Sequence, residues 1–422
     1  MLWINQFAVA PAAGGGTRHF EIGRELVRLG WDVTIVASDL NLQTRSFDKR
    51  TGADDRTPIL EEIDGVRFCW VWTAPYRVNN WRRAWNWVSF ARSVAKLSRH
   101  LPASARSPDL VIGSSPQLLA AHASFKLSKR VGAPFVFEVR DLWPESLIAA
   151  GGKRGIAYRV FDTIARALYR SADGIVVLAK GSADYLIRER GVDPERIRFV
   201  PNGVDVDAFS VPARPKRPST TFVYTGAHGP ANGLDVVLDA AQLLSHRSDI
   251  RILLVGSGPD KERLRANAEA RALGSVEFRD PVPKQQIPAL LAEADAGLMI
   301  LRPSKLFEYG VSPNKLFDYM AAGLPIVCNV PGEVADMVAE ADAGVQVAPG
   351  DAAELARAIE EIADAGVERR ALMGIRAREW VSQENTRPVL ATRLGSYLMA
   401  FLPEDRALRS TRNSSHSYET IG

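Results

Sequence analysis

Lys315 stands where a helix has least use for a cation. It lies in the stretch Ser312-Pro313-Asn314-Lys315-Leu316-Phe317-Asp318-Tyr319-Met320-Ala321-Ala322-Gly323-Leu324-Pro325, after a short apolar run, Ala296–Leu301, patterned as a buried strand. Ser312 suits an N-cap and Pro313 the first helical position, Gly323 with Pro325 ends the helix, and Ile326-Val327-Cys328 opens the next strand. That order puts a helix N-terminus at the carboxyl edge of a parallel sheet, where free N–H groups and the helix dipole attract anions. A lysine in the first turn opposes the dipole, so a bound phosphate accounts for it better than helix stability does. Asp318, one turn on, has the reach to accept hydrogen bonds from vicinal hydroxyls such as those of a ribose. An ordinary capped strand–helix unit would share the spacing and bind nothing.

The elements that must position these residues alternate along the whole chain, as in doubly wound α/β domains. Strands are expected at Leu2–Val9, Trp31–Ala37, Leu110–Gly113, Pro134–Val139 and Gly174–Leu178, with a helix from Thr17 to Leu29 after the loop Gly14-Gly15-Gly16. The proline-rich basic stretch Val211–Ser219 reads as a linker. A second alternating series follows, with strands at Thr221–Thr225, Ile250–Val255, Val276–Phe278, Ala296–Ile300, Ile326–Cys328 and Gly344–Val347. The expected organisation is a first domain at 1–210, a linker at 211–220, a second domain at 221–385, a helix at 386–403 and a disordered tail at 404–422.

Composition narrows the class. The 422 residues allow two or three domains with large cores. Cys69 and Cys328 lie in apolar runs of different halves and read as buried thiols rather than a disulfide. No Cys/His cluster has metal-ligand spacing, and no apolar run approaches the roughly 18 residues of a spanning helix. The expected location is therefore the cytoplasm, in solution or at the inner face of the plasma membrane.

Together these motifs resemble the retaining glycosyltransferases of family four. The resemblance rests on Val200-Pro201-Asn202-Gly203-Val204-Asp205, on Thr225-Gly226 through Asn232-Gly233-Leu234-Asp235, on Val255-Gly256-Ser257-Gly258-Pro259 and on the Lys315 segment, four motifs in the family's order. It implies the GT-B fold, in which two Rossmann-like doubly wound domains face across a cleft and the last helix crosses back to the first domain. The family pairs two acids with seven residues between them, the second on the donor ribose and the first on the donor hexose. Asp318 takes the second place. The first falls on Gly310, and Glu308, two residues earlier, is the candidate replacement. The family's phosphate loop carries an Arg and a Lys where this chain has Ala227 and Asn232, which leaves His228 and Lys315 as the available cations. The implied donor site comprises Gly15, Gly16, Gly226, His228, Glu308, Ser312, Asn314, Lys315 and Asp318, although the Gly-Ala-His-Gly-Pro stretch also fits a plain turn. Arg140 holds the place of the family's histidine, and with Asp141 it is expected to orient acceptor and donor, the leaving phosphate itself taking the acceptor proton. A salt-bridged strand end is the alternative there.

Trp143-Pro144-Glu145-Ser146 and Gly229 resemble the branch that acts on polyprenyl-linked saccharides with N-acetylated deoxysugar donors. The implied activity is sugar transfer from a nucleotide donor, expected to be UDP-linked, to a lipid-linked saccharide in surface polysaccharide (O-antigen, capsule or exopolysaccharide) assembly. The nucleotide sugar is then a substrate, and no cofactor or metal is expected; Asp205-Val206-Asp207 spells a metal motif only in its letters. A sugar-nucleotide 2-epimerase of the same fold and a catalytically weak nucleotide-sugar-binding subunit are the alternatives.

From Gly65 to Pro108 the chain has eight Arg/Lys, no Asp/Glu, and five of its nine tryptophans. A helix from Trp81 to Leu101 would place Trp87, Phe90, Val94, Leu97 and Leu101 on its core face. Trp81 and Trp85 fall on the opposite side with Arg92, Lys96 and Arg99. Indoles beside cations suit a peripheral helix on an anionic membrane. A protein partner would also cover such a face, and nucleic acid would leave a recognition motif that is lacking.

Overall fold

The computed structural model describes residues 1–11, 16–42, 44–52, 55–78, 80–97, 101, 106–149, 152–210, 218–304 and 309–403. Most of the expected linker, residues 211–217, and the expected tail at 404–422 lie outside the described residues. Contacts divide the chain into two compact units, Met1–Pro201 with Arg387–Gly422, and Asn202–Thr386.

The first unit is built on β1 (Leu2–Ile4), β2 (Thr34–Ser38), β3 (Ile59–Ile63), β4 (Val66–Val71), β5 (Val111–Ser114), β6 (Phe135–Val139), β7 (Gly174–Val177) and β8 (Ile197–Phe199), in the sheet order β3-β4-β2-β1-β5-β6-β7-β8. Every pairing is parallel except β3 with β4. β2, β5, β6 and β7 are buried along their whole length, as a sheet covered on both faces demands. The helix Arg387–Met399 packs on the helix Arg18–Arg28. Leu390, Leu394 and Leu398 share one core with Phe20 and Leu26, and the Tyr397 hydroxyl accepts from Ile175 N at 3.1 Å while donating to Arg196 O at 2.5 Å.

Two expectations change here. The strand Leu2–Val9 ends at Ile4, because Asn5 Oδ1 accepts from Phe7 N at 2.8 Å in a side-chain-closed turn and Gln6 Nε2 donates to Asn86 Oδ1 at 2.6 Å. The β3–β4 hairpin, absent from the sequence reading, turns on Asp64 and Gly65 at φ 46° and 77°. Asp-Gly between apolar residues was the available signal.

The second unit has β9 (Thr220–Thr225), β10 (Ile250–Val255), β11 (Val276–Arg279), β12 (Ala296–Met299), β13 (Ile326–Cys328) and β14 (Gly344–Gln346), all parallel, in the order β11-β10-β9-β12-β13-β14. The order reverses between β9 and β12, and ligands of such sheets bind outside the carboxyl ends of the strands at that switch point. The helix Asn314–Ala321 follows β12. Its Tyr319 lies across β12, where any side chain at Gly297 would meet the ring within 2.6 Å, and the Tyr319 hydroxyl accepts from Thr225 N at 2.8 Å. This one residue ties the helix to the end of β9.

Tyr319→Phe leaves the buried Thr225 N–H unpaired, and the unfolding free energy should fall by about 1–3 kcal/mol. Denaturant unfolding at unchanged m-value measures it, and an undiminished stability would remove the tie.

Candidate functional site

In the second unit the loops after β9 and β10 interlock. Gly226 N donates to Val255 O at 3.0 Å, His228 N to Ser257 O at 2.8 Å and Asp260 N to His228 O at 3.0 Å. A Cβ at Gly256 would collide with Gly226 O, and one at Gly258 with His228 O, so the Gly-Ser-Gly spacing is a packing requirement of this approach.

Lys315 projects from the first turn of the helix Asn314–Ala321 to meet these loops. Its Nζ is buried, has no hydrogen-bond acceptor, and lies 3.9 Å from the centroid of the Tyr224 ring. The Tyr224 hydroxyl donates to Ala227 O at 2.9 Å, which holds the ring beneath the amine. A Cβ at Gly226 would sit 3.1 Å from Nζ, so glycine there keeps the amine's surroundings open. His228 is buried too, and neither ring nitrogen has a partner. Lys261, by contrast, is engaged by Arg279 O at 2.9 Å and Asp280 Oδ1 at 2.6 Å.

Burial alone pulls the Lys315 amine down to about 7. Burial first, then the charges of Lys261 and Lys315, pulls His228 down to about 4. Two nitrogen-bearing side chains without partners, held in a low dielectric and sharing a switch point, form a cradle that an anion would complete.

The cap of this helix differs from expectation. Its first residue is Asn314, Pro313 is extended at φ −78°, ψ 122°, and no side chain caps the first turn. The Ser312 hydroxyl is used elsewhere: it accepts from Asn202 N at 2.8 Å, and Ser312 O accepts from Asn202 Nδ2 at 2.5 Å. Asn202 thus holds the loop before the helix, and the first helical N–H groups are left without a side-chain acceptor. Asn314 is exposed and Asp318 is half-buried one turn on. Gly16 is exposed, and a Cβ there would touch nothing, so no packing contact requires glycine at that position. Gly15 and Glu308 lie outside the described residues.

In the first unit Arg140 and Asp141 follow β6, and Ser115 Oγ accepts from both backbone nitrogens at 2.8 and 3.1 Å. Arg140 Nε is buried without a partner. Beneath them lies a cluster that sequence reasoning left unassigned. Glu138 takes Arg18 Nε at 3.2 Å, His19 Nε2 at 3.0 Å and the Ser114 hydroxyl at 2.6 Å. Burial alone would raise the Glu138 carboxyl, yet His19, Arg18 and Arg140 hold it well below the carboxylate range. Arg18 also donates to Pro201 O, and to Val200 O at 2.8 Å. The available signal was the Arg18-His19 pair opening a helix straight after a glycine run, matched by an acid inside a buried strand. Among the described residues no group of three or more His, Cys, Asp or Glu is placed to hold a metal ion.

The helix Trp81–Lys96 is capped by Asn80, whose side chain accepts from Arg82 N. Phe90, Val94, Leu97 and Leu101 are buried, and Trp87 is half-buried edge-on to Trp143 and Phe161. Trp81 is 71% and Trp85 42% exposed, with Arg92 and Lys96 exposed on the same side. The helix is described over Trp81–Lys96, and residues 98–100 of its expected extension, Arg99 among them, lie outside the described residues.

Residues 13–203 match the family model of the glycosyl transferase 4-like domain, and residues 219–365 match that of the glycosyl transferases group 1. The chain belongs to the family-four glycosyltransferases. It is 28% identical over 279 residues to the probable glycosyltransferase WbjE of Pseudomonas aeruginosa, covering 63% of this chain and 68% of that one. With the 2-deoxystreptamine glucosyltransferase of Streptomyces kanamyceticus it shares 29% over 317 residues, 72% and 78% of the two chains. With the putative colanic acid biosynthesis glycosyl transferase WcaI of Escherichia coli it shares 27% over 231 residues, 51% and 56%. Among solved structures, HepE from Anabaena in complex with UDP-glucose superposes with a TM-score of 0.66 at 15% identity over 94% of this chain and 99% of that one. The two sheets, parallel but for the β3–β4 pair, are those of the GT-B fold.

The Lys315 amine leads to a pH dependence. In the folded protein it loses its proton near pH 7, in the unfolded chain near 10.5, so between these values the unfolded state holds more protons and stability rises with pH. Relative to Lys315→Met, the wild-type glycosyltransferase should gain up to about 1.4 kcal/mol per pH unit from pH 7 upward, flattening near 10. A difference independent of pH in denaturant titrations would contradict the buried, unpaired amine.

Proposed function

We propose that this glycosyltransferase moves a sugar from a UDP-linked donor to a lipid-linked saccharide in surface polysaccharide assembly, with retention at the anomeric carbon. The observation that carries the donor reading is the pair of buried, unpartnered groups, Lys315 Nζ and the His228 imidazole, beside an uncapped helix N-terminus. A diphosphate leaving group needs donors aimed at the charge it develops as the glycosidic bond breaks. Lys315, the first helical N–H groups and His228 would supply them, so no metal is assigned to that role. Asp318 would accept from the ribose hydroxyls. Arg140 and Asp141 would orient the acceptor, whose proton passes to the leaving phosphate. UDP-glucose in HepE supports the choice of base and of diphosphate. WcaI's colanic acid assignment supports polysaccharide assembly, while the 2-deoxystreptamine enzyme keeps a small aminocyclitol acceptor as the second reading. The exposed Trp81 and Trp85 with Arg92 and Lys96 favour the lipid-linked acceptor, since they suit contact with an anionic membrane.

Lys315→Ala should weaken UDP binding by about 1.5–3 kcal/mol and leave uridine almost unaffected, as the lost hydrogen bonds are to phosphate. Calorimetry with both ligands decides, and equal weakening would take Lys315 out of the phosphate site. Trp81→Ala with Trp85→Ala should release the protein from anionic vesicles in co-sedimentation with an unchanged circular dichroism spectrum. Undiminished sedimentation would refute the membrane contact.

A further inference from the structure

Beside the helix Trp81–Lys96, the first unit carries an open groove of about 770 Å³ that the donor chemistry does not use. Its walls are the loop before β3, the end of β4 and one side of the helix. Three cations line it, Arg56, Arg92 and Lys96, with two indoles, Trp72 and Trp85, and no acid. The cations are arranged rather than scattered. The Arg56 guanidinium lies 4.5 Å from the Trp72 ring centroid and that of Arg92 lies 4.7 Å from Trp85. Stacking on an indole fixes the plane of a guanidinium and leaves its N–H edge for an acceptor, the geometry that favours bidentate contact with phosphate. Among the described residues none of these three cations has a carboxylate partner.

The groove also adjoins apolar surface. Val78, Trp81 and Trp85 are 63%, 71% and 42% exposed around the start of the same helix. A surface that needs both a phosphate acceptor and an apolar cover fits an amphiphile better than a soluble anion, and the volume exceeds what one phosphate fills. We propose that the groove binds the phosphate of an anionic membrane phospholipid, seating one lipid molecule with its headgroup between the Arg56–Trp72 and Arg92–Trp85 stacks. The inference rests on the membrane reading of this helix and deepens it: attachment then involves one stoichiometric lipid as well as diffuse charge.

The test uses the full chain and dihexanoyl phosphatidylglycerol below its micelle concentration, followed by tryptophan fluorescence, beside vesicles of phosphatidylcholine with and without phosphatidylglycerol. The expected result is saturable one-to-one binding of the soluble lipid, with no binding of dihexanoyl phosphatidylcholine. Arg56→Gln and Trp72→Leu should each weaken it about tenfold or more, the worth of one charged hydrogen bond, while Arg188→Gln, an equal loss of charge elsewhere on this unit, leaves it unchanged. Arg56 is exposed on a loop, so Arg56→Gln decides alone if Trp72→Leu unfolds. Absence of saturable binding, or equal affinity in wild type and Arg56→Gln, overturns the proposal. So does binding that appears only with a polyprenyl diphosphate, which would make the groove an acceptor site. Vesicle binding without soluble-lipid binding sinks the groove and spares the membrane reading; the reverse sinks the membrane reading and spares the groove.

Discussion

An amine buried without an acceptor is the constraint around which the second unit is arranged. Lys315 lies over Tyr224, beside a glycine that leaves it room and a histidine that has no partner either. A fold selected for stability alone would place an apolar side chain there, because an unpaired ammonium is expelled from low dielectric or loses its proton. The elements around it keep the amine where it is. Tyr319 fastens the helix to the end of β9, the loops after β9 and β10 interlock through backbone bonds, and Asn202 holds the segment before the helix. Rigid support of a group with no partner is how a site is kept ready for a ligand that brings the missing charge.

The first unit treats its buried charge in the opposite way. Glu138 is surrounded by Arg18, His19 and the Ser114 hydroxyl, so the carboxylate is satisfied and has no capacity left to act as a base. The cluster fixes geometry instead. Arg18 reaches the carbonyls of Val200 and Pro201, where the chain leaves this unit, and Glu138 lies two residues from Arg140 at the end of the same strand. Arg140 Nε and His19 Nδ1 are buried nitrogens of this region without a hydrogen-bond partner.

The helix Trp81–Lys96 shows why a helical wheel succeeds where a strand assignment fails. Its two faces differ in composition over four turns, so burial followed periodicity closely. The hairpin before it contains a fully apolar stretch, Cys69-Trp70-Val71, inside a basic window, and alternation alone did not reveal it. Arg56 and Trp72, which line the groove, belong to that hairpin's flanks.

The sequence by itself determined the alternation of strands and helices, the two-sheet architecture, the helix after β12 and the two faces of the basic helix. Each of these is written in local spacing, where propensity and periodicity act over a few residues. Three things were decided only by tertiary structure. Ser312 hydrogen-bonds to Asn202 rather than capping its helix, Tyr224 lies under Lys315, and His19 and Arg18 close on Glu138 across more than a hundred residues of chain. Side-chain hydroxyls, rings and charges have several possible partners of similar worth, and the packing of the whole sheet selects among them.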